Sequence, residues 1–291
     1  MMIRKKKPRG MILGMMFTLL FSGLFSCSGS GAPDDLEPET PPVEYQKPLA
    51  VDNNVVAHRG AWKKNNTPHN SLASLWDAIN LRLYASECDI HITKDGKVIV
   101  FHDDVYHGLD IDKSTYAELK AAGKLANGED LPLLEDYIKT AMQGKYTKLW
   151  IDVKSLDEQY GGDANSIKAG EAAANIVREL KAKYFVEFIV GREAVLTKCI
   201  AAARGDFPVA YMGNSTPAQY QSKGYVWTNQ ITTSFYPDNA SKIADFKSKN
   251  IRVSTYNADD VTTIKWFVQQ EVDQICSNDP ELVLKVLRGE I

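Results

Sequence analysis

The chain predicts a TIM (β/α)8 barrel, a single domain set behind a signal peptide and a flexible tether. Three observations lead there. Eight short apolar runs, each the length of a buried strand, recur between Val55 and Cys276 and alternate with amphipathic segments of helical period. About 240 residues follow the N-terminal stretch, enough for one large core. Polar and charged residues gather where the apolar runs end, and in such barrels reactive groups sit at the C-terminal ends of the strands.

Residues 1–27 stand apart from that fold. Arg4, Lys5, Lys6, Lys7 and Arg9 form a basic start, and the apolar run Met11 to Phe25 is short for a membrane span but suits a signal peptide. Leu24-Phe25-Ser26-Cys27 resembles a bacterial lipobox, in which the cysteine becomes the lipidated first residue. That reading expects a membrane-anchored lipoprotein of the cell envelope, periplasmic or at the cell surface, held by a lipid on Cys27. An uncleaved membrane anchor is the competing reading, and it also places the domain outside the cytoplasm.

Residues 28–52 are rich in Gly, Ser, Pro and acidic side chains, a composition that cannot bury a core and predicts a disordered tether. The domain is then expected over 53–291. The whole chain carries a formal net charge of −3, and losing the five basic residues of the signal leaves 29 basic against 37 acidic, near −8. Such a surface argues against nucleic acid as a partner and against electrostatic docking on anionic lipid.

Within the domain, strands are expected at Val55 to Ala57, Tyr84 to Ile92, Lys148 to Val153, Phe188 to Val190, Val209 to Met212, Val226 to Gln230, Ile251 to Tyr256 and Val272 to Cys276. Helices are expected at Ser71 to Leu83, Ile167 to Lys183, Ala194 to Arg204 and Ala240 to Lys249. A tight turn at Lys94 to Lys97 leads into a further apolar run, Val98 to Phe101. This hairpin and the helices through Met142 are expected to elaborate one barrel loop.

The stretch from Val55 to Asp104 carries the chemistry. Strand alternation puts Glu87, Asp89 and His91 on one face and turns Cys88 and Ile90 to the other. Two buried carboxylates aimed at one point repel each other unless a cation joins them. Oxygen ligands favour Mg²⁺ or Ca²⁺, and His91 nearby keeps Mn²⁺ or Zn²⁺ open. His58 and His102 each follow an apolar run, and imidazole can give or take a proton near neutrality. Arg59 offers a fork that suits a phosphate oxygen pair. Together these residues point to cation-assisted displacement at a phosphodiester.

The same residues resemble the glycerophosphodiester phosphodiesterase family. Its motifs appear as His58-Arg59-Gly60, Pro68-His69-Asn70-Ser71, Glu87-Cys88-Asp89, Thr93-Lys94-Asp95-Gly96 and Val100-Phe101-His102-Asp103, in order and at the right spacing. Leu131 to Asp136 resembles a family segment that opens a helix, and Val272 to Pro280 resembles the closing strand. Leu149-Trp150-Ile151-Asp152-Val153-Lys154 resembles the strand that carries a third metal ligand and a lysine. The resemblance therefore implies Glu87, Asp89 and Asp152 as ligands of one divalent cation, Arg59 and Lys154 on the phosphate, and His58 with His102 as acid and base. It implies hydrolysis of glycerophosphodiesters to glycerol 3-phosphate and an alcohol.

Three positions depart from the family pattern. His69 replaces a glutamate, Asp152 is one methylene shorter than the usual ligand, and Ser254 replaces a tryptophan, leaving Trp62 or Trp227 to fill the pocket wall. Two other functions stay open on that account. One is a phospholipase D-like activity on lipid, as in the related sphingomyelinase D barrels. The other is a catalytically weak surface protein that binds head groups or glycans. Cys88, Cys199 and Cys276, an odd set once Cys27 is lipidated, read as buried thiols rather than bridges.

Overall fold

The computed structural model describes residues 44–291. The expected signal peptide, Cys27 and the first part of the tether lie outside the described residues. Eight parallel strands close into a barrel: β1 (Val55–Ala57), β2 (Ala85–Ile92), β6 (Lys148–Val153), β7 (Val186–Val190), β8 (Val209–Tyr211), β9 (Trp227–Ile231), β10 (Arg252–Thr255) and β11 (Gln274–Ser277). The sheet runs β1-β11-β10-β9-β8-β7-β6-β2, and β2 returns to β1 through Val56 opposite Ala85. All eight expected strands are present, two with the expected bounds and the others with ends shifted by at most two residues. Helices at Leu72–Asn80, Gly162–Glu179, Glu193–Ala203 and Ala240–Ser248 stand where the four were expected, the second beginning at Gly162 instead of Ile167 and ending at Glu179 instead of Lys183.

Strand β2 is longer than its neighbours. Its far end projects beyond the barrel and pairs antiparallel with β3 (Val98–Val100), Ile90 facing Val100 and Ile92 facing Val98. The connecting turn is built locally: Thr93 Oγ donates to Asp95, the Lys97 amide donates back to Thr93 Oγ, and Gly96 takes a φ of +77° that a side chain would resist. After β3 come the small hairpin β4 (Val105–Tyr106) and β5 (Leu109–Asp110) and a helix at Tyr116–Ala122. This insertion has its own core of Ile99, Tyr106, Ile111, Leu119, Leu125 and Leu131, so it stays folded beside the barrel mouth. The elaborated loop expected after the second barrel strand is this unit.

Alternation along each strand divides the core in two. Leu149, Ile151 and Val153 of β6 face the helices, while Trp150 turns inward with Val56, Ala85, Ile189, Ala210, Trp227 and Cys276. Trp150 and Trp227 meet edge to face at 5.0 Å between ring centroids. Burying one such ring fully makes its loss to alanine cost about 3–5 kcal/mol. Below them the barrel is closed by charge. Glu187 accepts from Trp150 Nε1 (2.8 Å), Arg252 (2.8 Å), Lys148 (2.9 Å) and Tyr84 (2.9 Å). Burial pushes its carboxyl up, but Arg252 and Lys148 outweigh that and hold it below its ordinary range.

The last part of the expected tether is not free of the domain. Leu49 donates its amide to the Lys145 carbonyl at 2.7 Å, Gln46 reaches the Met142 carbonyl at 2.9 Å, and Tyr45 packs on Tyr184. Residues 44–52 thus lie along the barrel without forming a helix or strand. Composition forbids a core here, but backbone donors and two aromatic rings suffice for docking on one that already exists.

Candidate active site

At the C-terminal end of β1 the chain turns sharply through His58, Arg59 and Gly60. Arg59 adopts a φ of +60°, which aims its amide at Glu87 Oε2, 2.8 Å away. Gly60, at φ +88°, lies so close to the following helix that a Cβ would fall 2.2 Å from Ser74 Oγ. Only glycine fits there, so the tight turn presents His58 and Arg59 to the barrel axis. Ser71 caps that helix, accepting from the Ser74 amide at 3.0 Å.

Glu87 and Asp89 stand on the inward face of β2, and Asp152 lies directly beside Asp89 because β2 and β6 pair in parallel with those two residues in register. Each of the three offers one carboxylate oxygen, and these oxygens lie within 4.8 Å of one another. Asn70 Nδ2 donates to the Asp89 carboxylate at 2.8 Å and Asn70 Oδ1 accepts from the Asp89 amide at 3.1 Å; Arg59 Nε stands 3.3 Å from the same carboxylate. Lys154 bridges Asp89 (3.2 Å) and Asp152 (3.5 Å).

Electrostatics divides the cluster. Burial and the charges of Asp89 and Asp152 push the Glu87 carboxyl well above the usual carboxylate range. Burial likewise raises Asp152, to about 7, although Lys154 opposes it. Burial also works against Asp89, but Lys154, Arg59 and Asn70 prevail and keep it below its ordinary value. Asp152 Oδ1 is buried with no hydrogen-bond partner in the protein. Three converging carboxylates, two of them uncomfortable as anions and one with an orphan oxygen, fit a hard divalent cation.

His58 stands 3.9 Å from Glu87 through Nε2. Its Nδ1 lies 2.8 Å from Asn278 Oδ1, and Asn278 in turn donates from Nδ2 to Asp259 at 2.7 Å. Asp259 can only accept, which fixes the Asn278 amide and requires Nδ1 to carry the proton. The Nε2 lone pair is therefore free on the cavity side. Asn257 Nδ2 also lies 3.2 Å from that Nδ1. With Nδ1 protonated the pair makes no hydrogen bond in this amide orientation, and turning the Asn257 amide over would bring its otherwise unpartnered Oδ1 there as a second acceptor. Burial lowers the His58 pKa to about 4, so the ring is neutral at pH 7.

A cavity of about 310 Å³ unites these groups, lined by His58, Arg59, Glu87, Asp89, Asp152 and Lys154 together with Trp150, Ile189, Met212, Asn229, Tyr256, Asn257 and Cys276. Six of the seven site residues expected from sequence meet there. His102 does not line the cavity. It follows β3 on the rim, about one-third exposed, with Nδ1 paired to Asp103 at 2.7 Å, and close enough to act on the charge of Asp89. His91 is buried beneath it and donates Nε2 to the His102 carbonyl at 3.2 Å, so it supports the rim instead of entering the cluster.

The expectation that Trp62 or Trp227 walls the pocket is corrected: Trp150 and Tyr256 do so. Ser254 makes room for the Trp227 indole, which donates to Ser254 Oγ at 2.8 Å one layer down, and Ser254 then donates to Asn229 at 2.7 Å. Sequence reasoning missed Asn278 and Asp259, whose role needs the last strand to close on the first. The three cysteines are buried and unbridged, as expected, and burial raises the Cys88 and Cys276 thiols far from nucleophilic character.

Comparison with known proteins places this geometry. The family model for the glycerophosphoryl diester phosphodiesterase family matches residues 58–282. Among curated relatives, the uncharacterized protein YqiK of Bacillus subtilis is 23% identical over 249 residues, spanning 81% of this chain and 99% of the relative. Among solved structures, a glycerophosphodiester phosphodiesterase from Parabacteroides distasonis has a TM-score of 0.75 at 28% identity, over 81% of this chain and 97% of that one. An Oleispira antarctica phosphodiesterase, solved in complex with the product sn-glycerol-3-phosphate, shares the fold at TM-score 0.66 and 20% identity, over 81% and 97%. The chain is a TIM-barrel phosphoric diester hydrolase and belongs to the glycerophosphoryl diester phosphodiesterase family.

Proposed function

We propose that the protein hydrolyses glycerophosphodiesters to glycerol 3-phosphate and an alcohol. The observation that carries this reading is the convergence of Glu87, Asp89 and Asp152, with an orphan Asp152 oxygen, beside the free Nε2 of His58. Those three carboxylates would hold one divalent cation, Mg²⁺ or Ca²⁺ by their all-oxygen chemistry, with Mn²⁺ or Zn²⁺ as weaker fits. When bound, the cation supplies positive charge to a phosphodiester oxygen as negative charge builds in the transition state. Arg59 and Lys154, already at the cluster, would share that charge and orient the phosphate.

His58 accepts a proton at Nε2 from the attacking water, because Nδ1–H is committed to Asn278. His102, on the rim with His91 holding its carbonyl, delivers a proton to the departing alcohol. Beyond the described residues, the basic start and the Leu24 to Cys27 segment support anchoring to the membrane through a lipid on Cys27, in the cell envelope.

Product identification from a panel of phosphodiesters, with Mg²⁺, Ca²⁺, Mn²⁺ and Zn²⁺ varied, tests the assignment. Release of glycerol 3-phosphate from a glycerophosphodiester, abolished by chelator, is the expected result. Turnover of lysophospholipid or sphingomyelin in its place, or tight ligand binding without turnover under every metal, would overturn it.

A further inference from the structure

The catalytic cavity has an uncharged side. There it is walled by Ile189, Met212 and the Tyr256 ring, with Asn229 of β9 among them. In the closed strand order β9 stands four strands from β2 in either direction, so Asn229 faces Glu87 and Asp89 from the opposite side of the barrel. Asn229 is only 1% exposed, yet among the described residues its side chain is hydrogen-bonded through Oδ1 alone. A relay of donors decides which end of that amide meets the cavity. Trp227 Nε1 can only donate, and it gives its proton to Ser254 Oγ at 2.8 Å. The Ser254 hydroxyl must then place its own proton. Asn229 Oδ1 lies at 2.7 Å, an ordinary O–H···O distance, whereas the Thr228 carbonyl at 3.3 Å lies beyond that range. Asn229 therefore accepts at Oδ1 and keeps both Nδ2 protons for the cavity.

We propose that Asn229 is a specificity-determining residue whose Nδ2 donates to a hydroxyl oxygen on the glycerol half of the diester, and that Ser254 is the positioning residue that holds it so. The inference rests on the hydrolase reading above and names the group that reads the retained half of the substrate. Arg59 and Lys154 stand with the carboxylates and serve the phosphate on the β2 side, so what reaches β9 is a group carried by the phosphorus. His102 stands on the rim, outside the cavity lining, and serves the departing alcohol there. The enclosed side is left to glycerol. A buried donor that meets no acceptor costs free energy, so a substrate lacking the matching oxygen is penalised.

The test compares kcat/KM for glycerophosphocholine and its two deoxy analogues, in which propane-1,2-diol or propane-1,3-diol replaces glycerol, with Mg²⁺ present, in the wild type, Asn229→Ala and Ser254→Ala. The wild type should favour the glycerol diester over at least one analogue by about tenfold or more. Asn229→Ala should abolish that preference by losing rate on the glycerol diester while that analogue is turned over nearly as before, and Ser254→Ala should lose part of it. Asn229→Leu, of similar volume, gives the same reading should the alanine variant not fold. A wild type indifferent to both hydroxyls, or an Asn229→Ala loss equal on all three diesters, as a phosphate contact or a packing role gives, overturns the proposal. If no diester is turned over, the hydrolase reading falls by itself. Calorimetry with glycerol 3-phosphate and the two propanediol phosphates then decides Asn229. A preference for glycerol 3-phosphate that disappears in Asn229→Ala supports it, and equal binding or none sinks it.

Discussion

Asn278 Oδ1 lies 2.8 Å from His58 Nδ1, and the two residues come from the last and the first strand ends of the barrel. Closure of the barrel therefore sets the tautomer of its candidate base, with Asp259 holding the Asn278 amide in the orientation this requires. Asn278→Ala should lower kcat by about 10²-fold through a misplaced imidazole, with little change in KM. Steady-state kinetics on a glycerophosphodiester checks this, and an unchanged kcat would remove Asn278 from the mechanism.

The two histidines should separate by leaving group. His58→Ala and His102→Ala are each expected to cost about 10² to 10⁴ in rate on a glycerophosphodiester with an alkyl alcohol. With p-nitrophenol as leaving group, which departs without protonation, His102→Ala should recover most of its rate while His58→Ala should not. Equal recovery by both would show that the roles are assigned wrongly.

Asp152 links metal to stability. In the metal-free fold its carboxyl, raised to about 7, holds its proton more tightly than in the unfolded chain. Its contribution is therefore fully present below the ordinary carboxylate range and is lost as pH rises through about 7. Asp152→Asn should accordingly melt higher than the wild type at pH 8 in chelator. Divalent cation should raise the wild-type Tm and leave that of the variant nearly unchanged. Thermal melts across pH, with and without metal, read both signs; a variant less stable than the wild type in chelator at pH 8 would contradict them.

At the opposite end, Glu187 neutralises Arg252 and Lys148 inside the barrel. Glu187→Ala leaves two cations without their anion and should cost about 3–5 kcal/mol in urea unfolding. The effect belongs to folding, so the surviving folded fraction should keep its KM.

Strand alternation alone puts Glu87 and Asp89 on one face, and the periodicity of the apolar runs is enough to count eight strands. The resemblance to the family's motifs also singles out Asp152 and Lys154, whereas the β2–β6 register that sets Asp152 beside Asp89 is seen only in the fold. What stays invisible in the chain is any relationship between elements whose contact depends on three-dimensional packing. The place of His102 on the rim is one case, since the extension of β2 and its pairing with β3 decide how far that residue reaches. Trp227 filling the space above Ser254 is another, because complementary volumes are chosen across neighbouring strands.

Local chemistry in the sequence thus determined which residues could bind a cation, move a proton or hold a phosphate, since residue type and the two-residue period of a strand are properties of short segments. Tertiary structure decided which of them face one cavity and which proton His58 carries. Those depend on barrel closure, which brings Asn278 to a residue 220 positions away.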